Sequence, residues 1–454
     1  MKAKQRLQRM ESQKMLPLIL SFSLPSIISM TAMALYNIVD TIFVGRLGTN
    51  AIAGLTLIMP LQMFMLAFGL LLGVGAASYI SRNFGANQYE KANHVFSSTV
   101  FMGAILGVTI LIVAVIYLEP LLLFIGRNSE ATPQAMDYGL IIMFGIPIFL
   151  FNMMFSQIAR AEGNPNIAMN SQLIGTILNI ILDPIFIFVF KLGIKGAAIA
   201  TIISGFVGLS VIASYFIGPN SHLKFSIKNI IPRRDELIEI GKAGVPSFTR
   251  HIAASFVAML TNGLLAGYGA FALAIMGINN RFIMMFFMPM IGTGQGFMPI
   301  AGYNYGAKNF GRVKEAFWKA TMVVSVFCLT GWTLVELFPE MCIRIFSQDP
   351  VVISQGKSSL RLINAMLPLI GFQIIGSTLY QAIGNGLAGF VLSIARQVIA
   401  FLPIVILFNY LFGLSGIFLA VPAADIFAAA LTALWLRFTF RQFQEKITVS
   451  ASAG

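Results

Sequence analysis

Apolar residues run along this chain in long blocks separated by short polar connectors. Twelve such blocks can be marked, roughly at 16–44, 51–80, 95–118, 137–159, 167–190, 196–217, 237–265, 270–300, 317–339, 357–384, 388–410 and 414–438. At a rise of about 1.5 Å per residue each is long enough for a helix across the hydrocarbon core, and none shows the short alternation of a barrel strand. The pattern predicts an all-α membrane protein with twelve transmembrane helices.

The connectors suggest the orientation. Basic residues gather in one set of them, at Lys2, Arg6, Arg9 and Lys14, at Arg82, Lys91 and Arg160, at Arg233, Arg234 and Lys242, and at Lys308, Arg312, Arg396, Arg437 and Arg441. The other set holds fewer, among them Arg46, Arg127, Lys191, Lys195, Arg344 and Lys357. By the positive-inside rule both termini are expected in the cytoplasm. The start, MKAKQRLQRMESQK, reads as a basic cytoplasmic arm over 1–14, leading into the first span with no cleavable signal. The longest polar connector, 218–239, is expected to be a cytoplasmic linker, with an amphipathic surface helix or a solvated segment as its two readings. It separates an N-terminal lobe at 15–217 from a C-terminal lobe at 240–440, followed by a cytoplasmic tail at 441–454.

The two lobes repeat. With a shift of 221 residues Pro25 pairs with Pro246, Gly75 with Gly296, Gly85 with Gly306, Pro147 with Pro368 and Gly163–Asn164 with Gly384–Asn385. An even number of spans per copy relates the copies about an axis along the membrane normal. Two pseudo-symmetric six-helix lobes with a cavity between them are expected.

Composition agrees. Of 454 residues 57% are hydrophobic and 10% charged, whereas soluble chains carry about 25% charged residues. The formal charge of +13 follows the connectors and makes no nucleic-acid surface. Cys328 and Cys342 lie in or beside one apolar segment and match no metal-ligand spacing. No Walker loop is present, so no ATP motor is visible, and no enzyme activity is predicted.

Charge inside a span is costly, so it marks candidate chemistry. Asp40 lies deep in the first segment and Asp183 in TILNIILDPIFIF. Under the repeat they fall opposite Thr261 and Pro403, so the acidic pair belongs to one lobe only. Asn179 stands one turn before Asp183, Thr201 in the following helix offers a hydroxyl, and Tyr36 stands one turn before Asp40. Two carboxylates, an amide oxygen and a hydroxyl are hard ligands suited to H⁺ or Na⁺, and the sequence does not choose between them. Pro25 is a candidate bending point of the first helix. Asn152, Arg250, His251, Gln373 and Asp425 are further cavity candidates. No cofactor is expected.

The segments LPSI…NIVDTIFVGRLGTNAIAGL, RNFGANQYEKA with its second copy YNYGAKNFGR, the GNP of ARAEGNPN and NIILDPIFIF…LGIKGAAIAT, in this order, closely resemble the MATE family of multidrug and toxic-compound extruders over 15–440. The resemblance implies inner-membrane antiporters of bacteria with two six-helix lobes. It carries the ion site onto Asp40, Asn179, Asp183 and Thr201, adds the carbonyl of Ala197, and implies a bend of the first helix about Pro25. Vibrio-type members use acids in helices seven and ten. The helices here carry Arg250, His251 and neutral amides in their place, so the chain looks nearer the DinF-like branch. The expected function is secondary active multidrug efflux: lipophilic or cationic small molecules leave in exchange for H⁺ or Na⁺. The chain is read as monomeric, among membrane lipids. The alternative is a flippase or exporter of a lipid-linked or amphiphilic metabolite.

Overall fold

The computed structural model describes residues 3–126, 130–346 and 348–452; Lys2 and Arg127 lie outside the described residues. It is helical throughout: α1 (Ala3–Ser12), α2 (Met15–Gly45), α3 (Thr49–Gly85), α4 (Tyr89–Gly126), α5 (Thr132–Phe144), α6 (Ile146–Ala161), α7 (Pro165–Pro184), α8 (Gly193–Ile217), α9 (Arg234–Ala266), α10 (Ala270–Gly306), α11 (Phe310–Leu337), α12 (Pro339–Arg344), α13 (Pro350–Asn364), α14 (Leu367–Ala382), α15 (Gly386–Ile394) and α16 (Leu402–Ser452).

Among the described residues nine helical stretches are long and apolar enough to cross a membrane, and α5–α6, bent by 53° at Gly145, makes ten. Pro147 in the first turn of α6 lacks the N–H that would carry the α5 ladder on. The stretch from α15 through α16 is two crossings that meet at Gly413, whose φ of +58° only glycine adopts readily. The span α9 completes twelve; its charged first turns, Arg234, Asp235, Glu236 and Glu239, lower its mean hydropathy. Lobe one is α2–α8 and lobe two α9–α16.

The backbone repeats as the sequence does. Left-handed residues recur at matched positions, Gly48 with Gly269, Asn87 with Lys308 and Gly163 with Gly384. The crossing of α3 and α10 is reciprocal: a Cβ on Gly85 would stand 1.9 Å from the Tyr303 carbonyl oxygen, and one on Gly306 1.9 Å from that of Arg82. Residues 82 and 303 are themselves a repeat pair, so this contact lies on the pseudo-two-fold axis.

The lobes meet over one half of their height. On α3 every residue from Val74 to Ser78 is buried, and on α10 every residue from Phe297 to Asn304. On α2 and α9 burial likewise concentrates toward the end nearer the chain termini. The opposite halves expose Leu35, Ile38, Phe64, Phe256 and Met259. The molecule is therefore closed at the face carrying the termini and parted at the other. Arg82 spans the closed face to Glu239 at 2.8 Å, and Ser78 Oγ donates to the Gln381 carbonyl at 2.6 Å.

Helix α1 packs under this face. Arg6 donates to the Tyr215 hydroxyl at 2.9 Å and to the Asn220 carbonyl, while Asn304 and Arg312 of lobe two donate to the Met10 carbonyl. The Tyr215 hydroxyl in turn donates to Glu162 at 2.8 Å, and Ser221 and the His222 amide do the same. Burial pushes the Glu162 carboxyl upward in pKa, while these donors and the charge of Arg6 pull it down. The inter-lobe connector is pinned on Glu162 and holds only a short 3-10 turn, Ile227–Asn229, before α9 starts. No amphipathic surface helix forms there: the backbone N–H groups of His222 and Leu223 are already committed to that carboxylate, and Pro232 cannot continue a helical ladder.

Candidate functional site

Helix α7 brings Asn179 and Asp183 to one face by their four-residue spacing, and the chain then changes winding. Pro184 has no N–H for the Ile180 carbonyl, and the next turn, Ile185–Val189, is a π-helix. That wider turn lets α8 return close against α7. A Cβ on Gly196 would meet the Phe186 carbonyl at 2.6 Å, and the matched Gly416 of lobe two makes the same approach to Phe408. Thr201 is thereby seated beside Asn179.

The groups are joined. Asn179 Nδ2 donates to Asp183 Oδ1 at 3.1 Å and to Thr201 Oγ1 at 3.4 Å, and the Tyr36 hydroxyl meets the same Thr201 oxygen at 3.4 Å. Asp40 is 5% and Asp183 0% exposed, and the two carboxyls are close enough for each to act on the other. Two carboxylates so placed keep both charges only with a cation between them; otherwise one carries a proton. Among the described residues Asp40 Oδ1, Asp183 Oδ2 and Asn179 Oδ1 are buried and receive no hydrogen bond from an amide, hydroxyl or cationic donor. No group of three His, Cys, Asp or Glu side chains that could hold a metal occurs among the described residues. The donor set, two carboxylates with an amide and a hydroxyl oxygen, fits a proton or Na⁺ and not a soft metal. Ala197 is fully buried nearby on α8.

A chamber of about 260 Å³ adjoins this cluster inside lobe one. Tyr36, Asn37, Asn179 and Thr201 line it toward the acids; Met33, Gln62, Met63, Asn152 and Ser156 line its walls; Arg160 and Ala168 lie farther along. Apolar and neutral polar groups, with Arg160 the one charged side chain among the lining residues, thus surround a space that Asn179 separates from Asp183.

The sequence-predicted residues are distributed unevenly. Asp40, Asn179, Asp183, Thr201 and Tyr36 come together, and Asn152 is on the chamber wall, where it donates to the Gly205 carbonyl at 3.0 Å. Pro25 is buried within α2, which runs unbroken through it. Arg250 and His251 are half-buried on α9, at the positions that in lobe one are Ser29 and Met30 of the chamber wall. Asp425 lies in the second lobe, away from the lobe-one chamber. It is fully buried and ion-paired with Arg396, and its carbonyl accepts from Gln373 at 2.8 Å. Arg396 stands on the π-helical turn Ala395–Phe401 and neutralises the acid, the pairing with another helix that is the alternative to a cavity role.

Arg160 is a further correction, because it is not in a connector. Its side chain is 3% exposed and lines the chamber. The spacing Asn152, Ser156, Arg160 is a polar stripe of period four, and that stripe is the signal that could have found it.

The MatE family model matches residues 25–185 and again 246–411, one match per lobe. The multidrug export protein MepA of Staphylococcus aureus (strain NCTC 8325 / PS 47) is 30% identical over 432 residues, 95% of this chain and 94% of that protein. An outward-facing structure of a multidrug resistance MATE family transporter of the MOP superfamily superposes with a TM-score of 0.91 at 28% identity, covering 96% of this chain and 98% of the other. A MATE in a bent conformation gives 0.91 at 28% identity, covering 98% and 99%.

Proposed function

From the premise that this chain belongs to the MatE family, we propose that it exports lipophilic, often cationic, compounds by alternating access, in exchange for H⁺ or Na⁺. It is a multi-pass membrane transporter and not an enzyme, and multidrug efflux is its general activity. The coupling ion, the sidedness and the working cycle are our reading.

The observation that carries it is the joined set of Asp40, Asp183, Asn179 and Thr201 at one end of a chamber within a single lobe. A cation or proton arriving from the parted face neutralises the carboxylate pair and lowers the chamber's attraction for a cationic guest. The guest then leaves through the same opening. The two ligands thereby oppose one another through charge, a coupling that is reciprocal by linkage. Tyr36 ties α2 to Thr201 on α8, so loading of the pair is felt by α2, and Pro25 gives α2 one missing backbone hydrogen bond at which to bend. Ala197 supplies a carbonyl when Na⁺ is the ion. Both termini lie in the cytoplasm, in keeping with the basic connectors, the working unit is a monomer, and the membrane is the inner membrane of a bacterium. Arg250 and His251 where other members carry acids favour the DinF-like branch.

The test is efflux of a lipophilic cation such as ethidium from proteoliposomes under separately imposed H⁺ and Na⁺ gradients, comparing the parent with Asp40→Asn, Asp183→Asn and the double variant. Gradient-driven flux is expected to fall at least tenfold in each single variant and to vanish in the double, with the protein still folded. Normal gradient-driven flux in the double variant would overturn the proposal.

A further inference from the structure

The chamber lies between ionisable groups of opposite kind. Toward one end Tyr36, Asn179 and Thr201 line it, with Asp183 bonded to Asn179 behind them and Asp40 one turn beyond Tyr36; toward the other, Arg160 lines it from α6. Asn179 and Ala168, both on α7 and both lining the space, are eleven residues apart, about 16 Å along a helix.

Arg160 is distinctive for what it does not touch. Its side chain takes part in no ion pair or hydrogen bond among the described residues, its Nε is buried without a partner, and no acidic side chain acts on its charge. The neighbouring acid Glu162 is fully engaged by Tyr215, Ser221 and His222 on the far side of the helix end. A guanidinium that is 3% exposed in the last turn of α6, with no carboxylate opposite it, is expensive to keep for packing alone. Its planar fork matches a carboxylate in two-point contact, which a lysine or an amide cannot reproduce. In lobe two the matched position is Gln381, which is tied up by Ser247 at 2.7 Å. The unpaired cation is therefore a feature of the chamber-bearing lobe.

We propose that Arg160 is the receptor for an anionic group of the cargo, and that the lobe-one chamber takes zwitterionic amphiphiles. The carboxylate of such a ligand sits on Arg160, its aromatic body lies along Met33 and Met153, and its cationic part points to the acidic pair. The inference rests on the export reading above, which makes the chamber the cargo site. It adds a polarity to that site: cargo binds in one orientation, acid end toward the face carrying the termini.

A matched pair of dyes tests it: tetramethylrhodamine free acid, a zwitterion, and its ethyl ester, a cation with the same body. Binding is read by fluorescence anisotropy to the full-length protein in detergent, against empty micelles. On the unmutated protein the free acid is expected to bind at least as tightly as the ester. Arg160→Gln is expected to weaken the free acid tenfold or more while ester binding holds or tightens, since a positive charge has left the chamber; Arg160→Lys keeps part of the free-acid affinity. Ester bound with free acid excluded overturns the proposal and leaves the cation-export reading standing. Equal weakening of both dyes by Arg160→Gln also overturns it, because a structural role would act on both. Binding of neither dye by the unmutated protein overturns the proposal together with the chamber's assignment as cargo site.

Discussion

At the residue scale Thr201 is the junction of the proposed ion site, since one hydroxyl serves both Asn179 and Tyr36. Thr201→Val keeps the shape and removes the oxygen. A neutral hydrogen bond contributes about 1 kcal/mol, so ion-driven efflux in proteoliposomes is expected to fall roughly five- to tenfold, with thermal stability nearly unchanged. Unchanged flux would remove the hydroxyl from the site. The Arg396–Asp425 pair of lobe two carries an opposite expectation. Asp425→Ala leaves a largely buried guanidinium unpaired and is expected to cost about 3 kcal/mol in thermal unfolding. Arg396→Met with Asp425→Leu is expected to recover most of it. The acids and Asn179 were legible in sequence because a carboxylate in an apolar run stands out and four-residue spacing fixes its neighbour. Arg160 and Arg396 were not. An arginine near the end of an apolar run reads the same whether it snorkels outward or turns inward, and only the packing of α6 against α7, or the π-turn before α16, decides.

At the scale of the element the twelve spans were legible, and their ends were not. Helices α3 and α10 run on to Gly85 and Gly306, past the apolar blocks, because their last turns are buried against the other lobe rather than bathed in lipid. Polar residues there, such as Asn83 and Asn304, end an apolar window without ending a helix. The inter-lobe connector failed the amphipathic reading for the complementary reason: its alternation was real, but backbone donors from His222 to Ser226 were claimed by Glu162, Asn93 and Ser97, and Pro232 has none to give. The reciprocal crossing makes a sharp prediction. Gly85→Ala or Gly306→Ala puts a methyl against a carbonyl oxygen in the opposing helix, and over-packing of this kind costs about 1–3 kcal/mol. Gly241→Ala and Gly263→Ala, inside α9 where a Cβ would meet nothing within 4 Å, are expected to leave thermal stability unchanged or raise it by up to about 1 kcal/mol. Equal effects at all four positions would mean that the closed face is not held by this crossing.

For the whole molecule, the repeat and its violation together determine which surface can be reached. Both lobes use the same hairpins, the same left-handed residues and the same crossing, but where lobe one has its chamber the matched region of lobe two holds the Arg396–Asp425 pair. The closed face buries Ser78 between the lobes, whereas Met63 lines the chamber and Met259 lies on the parted half of α9. Cysteines at these sites therefore separate the two faces, and the native Cys328 and Cys342 are buried, which keeps the background low. A membrane-impermeant maleimide applied from the face opposite the termini is expected to label Met63→Cys and Met259→Cys at least tenfold faster than Ser78→Cys. A lipophilic cation in excess is expected to slow Met63→Cys and leave Met259→Cys little changed, because only the first lies on the chamber wall. Should Ser78→Cys label as fast as Met63→Cys with no cargo present, the closure at the termini would not persist in the membrane, and the arrangement parted opposite the termini would not be the resting one.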